Sequence, residues 1–174
     1  MKERIENGLI DYLKTTSLHN TNVAALCRHI GISRKTFYYH YPSIETCLEH
    51  LTDRVMSGCS LYIAQNVSDH TDLETLYTVE LEYWKEQKDY LDCIYRNGLF
   101  FFLLKRYQEY NLAEEACHLD RLNTPLVHYD SDILNFYIGG SLCFILEWSQ
   151  REFDTPISEM AQKLARLVHL PLLP

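Results

Sequence analysis

Glycine and proline are scarce in this chain, six and five residues out of 174, and no long run alternates apolar with polar residues. Sheets and their tight turns draw on both features, so an all-helical fold is favoured. Long apolar runs are missing too. The most apolar stretch, Leu99 to Leu104, is far too short to span a bilayer and stands between Arg96 and Lys105. The amino end, Met1-Lys2-Glu3-Arg4, leads into an amphipathic segment and not into an apolar leader, which predicts a cytoplasmic protein with no membrane partner. Signatures of catalysis are lacking: there is no G-x-S-x-G, H-E-x-x-H, P-loop or G-x-G-x-x-G, and Asn97-Gly98 and Gly139-Gly140 stand isolated. Neither an enzyme nor a cofactor is expected. None of the six cysteines (Cys27, Cys47, Cys59, Cys93, Cys117 and Cys143) forms a C-x-x-C pair. They fall on apolar faces of the expected helices, where a free thiol acts as a small hydrophobe. Cys117-His118 has no second ligand pair at usable spacing and the eight histidines are scattered, so no metal site is expected.

Hydrophobic residues make up 47% of the chain, ample for a core, and the length suits one compact domain or a small one joined to a medium one. The formal net charge of -8 is unevenly spread: residues 1–50 hold six Lys or Arg against five acids, and the remainder carries -9. No acid lies between Asp11 and Glu45, so that stretch is locally basic, and His19, His29 and His40 add charge at lower pH. An acidic body would be repelled by DNA and would help turn the basic end toward it. Acidic surfaces also serve solubility alone.

Residues 22–41 lie within the basic stretch. Asn22 suits an N-cap, and Val23, Leu26, Cys27 and Ile30 then recur at helical spacing. Gly31 stops that helix, being the residue type that takes a left-handed conformation at little cost, and Ile32 packs into the angle. Ser33 caps a second helix that projects Arg34, Lys35, Thr36, Tyr38, Tyr39 and His40, while Phe37 and Tyr41, four apart, form the inward stripe. The pair reads as a helix-turn-helix. An outer face of hydrogen-bond donors and flat rings, free of carboxylates, suits a major groove lined by phosphates.

The run Ile30-Gly31-Ile32-Ser33-Arg34-Lys35-Thr36-Phe37-Tyr38-Tyr39-His40-Tyr41, followed by Glu45 and Leu48, resembles the recognition-helix signature of the TetR-type transcriptional regulators. The likeness covers about the first 50 residues. A weaker echo follows in Gly139-Gly140, Glu147-Trp148 and Pro156-Ile157-Ser158-Glu159-Met160, which are similar to the last two helices of many members. The resemblance implies that Arg34, Lys35, Thr36, Tyr39 and His40 face base edges or the adjacent backbone, and that Ser33 and Tyr38 hold phosphates. Members often carry a phosphate-gripping lysine where this chain has Ile44. The amides at the Ser43-capped helix start would then have to serve instead.

Around this head the periodicity predicts about nine helices. One covers Lys2 to Thr16; another starts after Pro42-Ser43 with Leu48, Leu51, Val55 and Tyr62 inward; a third opens on a Thr71-x-x-Glu74 capping box and runs to Gln87. A ring-rich helix follows Asp89 and includes Leu99 to Leu104, and a shorter one covers Leu112 to Leu122. Asp130 caps a stretch from Ser131 to Arg151 that is apolar around much of its circumference, and Thr155-Pro156 starts the last helix. Tyr77, Trp84, Tyr95, Phe101 and Phe102 are candidates to line a cavity for a small effector; an aromatic stripe of this kind also arises as plain core. By the resemblance the last two helices pair with their copies, giving a dimer interface at Gly139, Gly140, Leu142, Ile145, Trp148, Met160, Leu164 and Leu167. The expected architecture is an all-α protein with a helix-turn-helix domain at 1–48 and a helical ligand-binding and dimerisation domain at 49–174. Its expected role is a sequence-specific, homodimeric repressor of a palindromic operator on double-stranded DNA. The alternative is an adaptor that docks a partner protein.

Overall fold

In the computed structural model, residues 1–68, 71–112 and 131–168 are described. Among them are nine α-helices and no strand: α1 (Lys2–Leu13), α2 (Val23–Ile30), α3 (Arg34–His40), α4 (Ile44–Asn66), α5 (Leu73–Glu86), α6 (Lys88–Arg96), α7 (Phe100–Leu112), α8 (Ser131–Gln150) and α9 (Ile157–Val168). The all-helical expectation therefore holds. Helix α1 stops at Leu13, three residues short of the predicted end, and a 3-10 turn at Leu18–Asn20 leads toward α2. The N-cap of α5 is Asp72 and not Thr71: its carboxylate accepts the Thr75 amide at 2.7 Å, while Thr71 Oγ1 accepts from the Ser68 amide at 2.8 Å. An aspartate one residue nearer the helix takes the cap because either side chain can fill that role. The single ring-rich helix expected after Asp89 is in fact two, because Gly98 adopts φ 64° and ends α6. Pro156, not Thr155, caps α9, its carbonyl accepting from Met160 at 3.1 Å. The helix expected over Leu112 to Leu122, and the Asp130 cap, lie beyond Leu112 in residues outside the described set.

Helices α1, α2 and α3 form the head, with α1 packed on α2 and α2 on α3. Helix α4 runs unbroken from the head into the body, touching α1 at one end and α5 and α7 farther along. Helices α8 and α9 close the body, α9 lying along α5 and α8 against α6 and α7. One apolar cluster is continuous through both parts, from Ile5 and Leu9 through Leu51 and Val55 to Trp84, Trp148 and Met160. Burial of each large side chain of this kind contributes about 2 to 3 kcal/mol. The turn between α8 and α9 is held by Trp148: its indole donates to Thr155 O at 2.9 Å, and its carbonyl accepts from Phe153 N at 3.0 Å. Glu152 and Phe153 both sit at φ 55°, a left-handed pair that this contact holds in place.

Head and body also meet through α1 and α6. Lys14 Nζ lies 2.8 Å from Asp89, Asn97 Oδ1 accepts the Leu18 amide at 2.7 Å, and Arg96 donates to Lys14 O at 3.2 Å. Among the described residues no helix is long and apolar enough to cross a membrane. Cys27, Cys47, Cys59 and Cys93 are buried as expected, whereas Cys143 is exposed on α8 and departs from the core reading.

Candidate nucleic-acid interface

Local signals build the head as the spacing requires. Asn22 Oδ1 accepts the Ala25 amide at 2.9 Å and starts α2. Gly31 ends it at φ 72°, ψ 44°, with the Ile32 amide turned back to Cys27 O at 3.0 Å. Arg4 of α1 donates to Ile30 O at 2.8 Å, satisfying a terminal carbonyl of α2. Ser33 Oγ accepts the Thr36 amide at 3.0 Å and starts α3. Phe37 and Tyr41 are fully buried. Opposite them Arg34 and Lys35 are exposed, Tyr38 is 55% and Tyr39 84% exposed, and Thr36 and His40 are half-buried. The Tyr39 and His40 rings meet edge to face at 5.0 Å.

Two of the seven predicted contacts are partly engaged within the head. The Ser33 hydroxyl caps α3 and lies 2.9 Å from Thr36 Oγ1, so both hydroxyls already have a partner. Arg34 and Lys35 form no ion pair among the described residues, which leaves both cations open to an incoming phosphate. The nearest acid upstream, Asp11, is engaged within the head, its carboxylate 2.8 Å from His29 Nε2 and 3.7 Å from Lys14 Nζ. The start of α4 differs from the sequence reading. Ile44 is buried and Ser43 caps the helix, but the Glu45 carboxyl is held below its usual range by its own backbone amide and the Ser43 hydroxyl. A first-turn carboxylate occupies the place an anion would take, so this helix start does not provide the phosphate seat the sequence left open.

What sets the tilt of α3 was not singled out from sequence. Glu6 of α1 is buried; its Oε1 accepts the Tyr41 hydroxyl at 2.5 Å and its Oε2 accepts Arg54 Nε of α4 at 2.5 Å. Arg54 also donates to Asn7 Oδ1 at 2.9 Å. Burial and the adjacent Glu6 carboxylate push the Tyr41 phenol far above its ordinary range, so it stays a donor. A glutamate inside the apolar stripe of Ile5, Leu9 and Leu13 was the available signal.

The other predicted sites are dispersed. Tyr77 and Trp84 are buried and Phe102 is half-buried, but Tyr95 is 49% and Phe101 80% exposed. The structure thus buries two of the five, half-buries one and leaves Tyr95 of α6 and Phe101 of α7 exposed, so the five do not share one enclosed lining. Of the predicted interface residues, Leu142, Ile145, Trp148, Met160 and Leu164 are buried inside the single chain. Gly139 is half-buried, and Gly140 and Leu167 are exposed. Helical spacing marks an apolar face but does not say which face the chain keeps for its own core. The outward stripe of α8 is instead Phe136, Gly140 and Phe144, with Cys143 beside it.

Two short helices set at a glycine turn, one of them presenting cations without an ion pair among the described residues and bare phenols, form a helix-turn-helix whose outer face suits a nucleic-acid groove. Residues 13–51, which hold α2 and α3, match the model of the bacterial regulatory proteins of the tetR family. Among curated proteins none matches it. Solved structures with the same fold include the fatty acid degradation regulator FadR from Bacillus halodurans, at 15% identity and TM-score 0.66, covering 98% of this chain and 95% of that one. FadR from Bacillus subtilis, in complex with stearoyl-CoA, gives 10% identity and TM-score 0.66 over 99% and 100%. A tetR-family regulator from Streptomyces coelicolor gives 14% and 0.62 over 97% and 80%.

Proposed function

We propose that the protein binds a palindromic operator as a homodimer and represses transcription in the cytoplasm, with no catalytic activity of its own. The head is residues 1–48 and the regulatory, dimerising body residues 49–174. A small effector held in the body would shift the dimer between spacings that fit and do not fit successive major grooves. The observation that carries this reading is the outer face of α3, where Arg34 and Lys35 form no ion pair among the described residues and Tyr39 stands bare. Lys35, Thr36, Tyr39 and His40 would read base edges or the backbone beside them, with Arg34. Tyr38 and Ser33 would hold phosphates.

The partner copy would sit on the outward stripe of α8, Phe136, Gly140 and Phe144, together with the hollow lined by Phe144, Lys163, Arg166 and Leu167 at α9. Phenylalanines left bare on one helix form the kind of apolar patch that a second subunit covers. Phe144→Glu should give a folded monomer in sedimentation analysis; an unchanged dimer would reject this face. For the DNA reading, duplexes are selected from a random pool and affinity is followed against salt. A specific palindrome whose binding falls steeply with salt, and is lost in Tyr39→Ala, is the expected result. Salt-insensitive or absent duplex binding, with a stable complex to a partner protein, would favour the adaptor reading.

A further inference from the structure

Helix α4 passes from head to body within a few residues, and at that crossing another helix reaches into its backbone. Arg54 ties α4 to Glu6 and Asn7 of α1. The carbonyl of the next residue, Val55, accepts the hydroxyl of Tyr83 from α5 at 2.6 Å. That oxygen also serves the α4 ladder, so a helical bond is shared with an outside donor. Gly58 makes room for the phenol: a Cβ there would collide with the Tyr83 hydroxyl. Glycine weakens a helix interior, and a pair such as Ser57-Gly58 is a common place for one to bend. The Tyr83 ring meets the rings of Tyr62 and Trp84, each at 5.9 Å, and burial pushes its phenol up to about 12, so it stays a donor. On the head side of this point α4 is braced differently. Tyr90 of α6 donates to Thr52 Oγ1 at 3.1 Å, Thr52 donates to Leu48 O at 2.9 Å, and Arg106 Nε of α7 donates to Asp53 at 3.1 Å. The head end of α4 thus goes with α6 and α7, while Tyr83 belongs to α5, along which α9 lies.

Resting on the reading of the chain as a dimeric operator-binding regulator, we propose that Tyr83 is a positioning residue for DNA binding. Its bond to Val55 O holds α4 at one angle at Ser57-Gly58, and that angle decides which half-site spacing the two heads fit. Tyr83 itself touches no DNA, since it lies in the body on α5. With the phenol bonded, the head stands at a fixed angle to the α5 and α9 pair, which carries part of the proposed partner face. With the bond released, the glycine lets the head sample a range of angles, and a loosely held head pays ordering entropy on every duplex. Discrimination between spacings is therefore what the phenol contributes. Any displacement of α5 would reach the head through the same hydroxyl.

The test compares the native protein with Tyr83→Phe, with Tyr83→Phe combined with Gly58→Ala, and with Tyr62→Phe, a control whose hydroxyl faces Glu82 instead. Each is titrated, below its melting midpoint, with the selected palindrome and with versions whose half-sites are moved apart or together by one or two base pairs. Native protein and Tyr62→Phe should prefer one spacing by about tenfold, and Tyr83→Phe by about threefold or less. In the double variant the alanine stiffens the bare helix, so a preference of about tenfold should return, at the same or another spacing. Spin labels at Asn20→Cys and Ser158→Cys, both exposed positions, report the distance from head to α9 without DNA. The labelled chains carry Cys117→Ser and Cys143→Ser and are diluted with unlabelled protein. Their distance distribution should broaden in Tyr83→Phe and narrow again in the double variant. An equally narrow distribution in Tyr83→Phe, an undiminished spacing preference, or the same loss of affinity at every spacing overturns the role of Tyr83 while the operator reading stands. If the native protein binds no duplex, the operator reading fails, and the distances alone decide whether Tyr83 holds the angle.

Discussion

Replacing Arg54 by methionine should loosen the recognition helix before it touches DNA. The substitution keeps the aliphatic stem and removes the guanidinium that sits 2.5 Å from Glu6 Oε2, leaving a buried carboxylate with only the Tyr41 hydroxyl as donor. Breaking a buried ion pair by removing one partner costs about 3 to 5 kcal/mol. Arg54 is itself 42% exposed, so water reaches the pair and the cost is discounted to about 2 to 3 kcal/mol. In a chain of this size that lowers the melting midpoint by about 5 to 10 °C. Glu6→Gln, which leaves Arg54 solvated and the Tyr41 bond available, should cost less, about 1 to 2 kcal/mol. The double variant should be less destabilised than the two singles added, with a coupling of about 1 to 2 kcal/mol. Urea unfolding followed by circular dichroism measures all four proteins, and operator titration of the folded fraction reports the tilt of α3. Additive costs, or an Arg54→Met protein within about 0.5 kcal/mol of the native one, would show that the Glu6 contacts do not hold the head together.

Three further outcomes follow from particular contacts. Lys35→Ala should weaken binding to specific and random duplexes alike and reduce the slope of log affinity against log salt by about one, whereas Tyr39→Ala should act on the specific site; equal slopes would remove Lys35 from the phosphate contacts. Because the Glu80 carboxyl is raised to about 7 in the folded protein, the folded state binds that proton more tightly than the unfolded chain, so this group lowers stability as pH rises from about 4.5 to 7. The drop is up to about 3 kcal/mol, and it should disappear in Glu80→Gln when midpoints are compared at pH 5 and 8. Gly58 sits against the Tyr83 hydroxyl, which donates to Val55 O at 2.6 Å. Gly58→Ala should displace that hydroxyl and cost about 1 to 2 kcal/mol despite the better helix former, and Tyr83→Phe in the same chain should recover part of the loss in thermal melts.

The head was legible in the chain because its signals are local. A cap at Asn22, a left-handed glycine at Gly31 and a second cap at Ser33 each act within four residues, so composition and spacing alone specify two helices and the angle between them. The same holds for which α3 side chains face out, since the inward places go to Phe37 and Tyr41 at one-turn spacing. Tertiary structure decided the rest, because burial is settled between segments far apart in the chain. Whether α8 keeps Leu142 and Trp148 or Phe136 and Phe144 for its own core depends on α6, α7 and α9, and either choice satisfies the same periodicity. Glu6 stands out in sequence only as an acid within the apolar stripe of α1, and its partner is fixed when α4 brings Arg54 beside it. Glu80 reads as an ordinary helix-surface acid until the folded body buries it with no cation near among the described residues, and a charge acquires its meaning only from the dielectric and the partners that packing supplies.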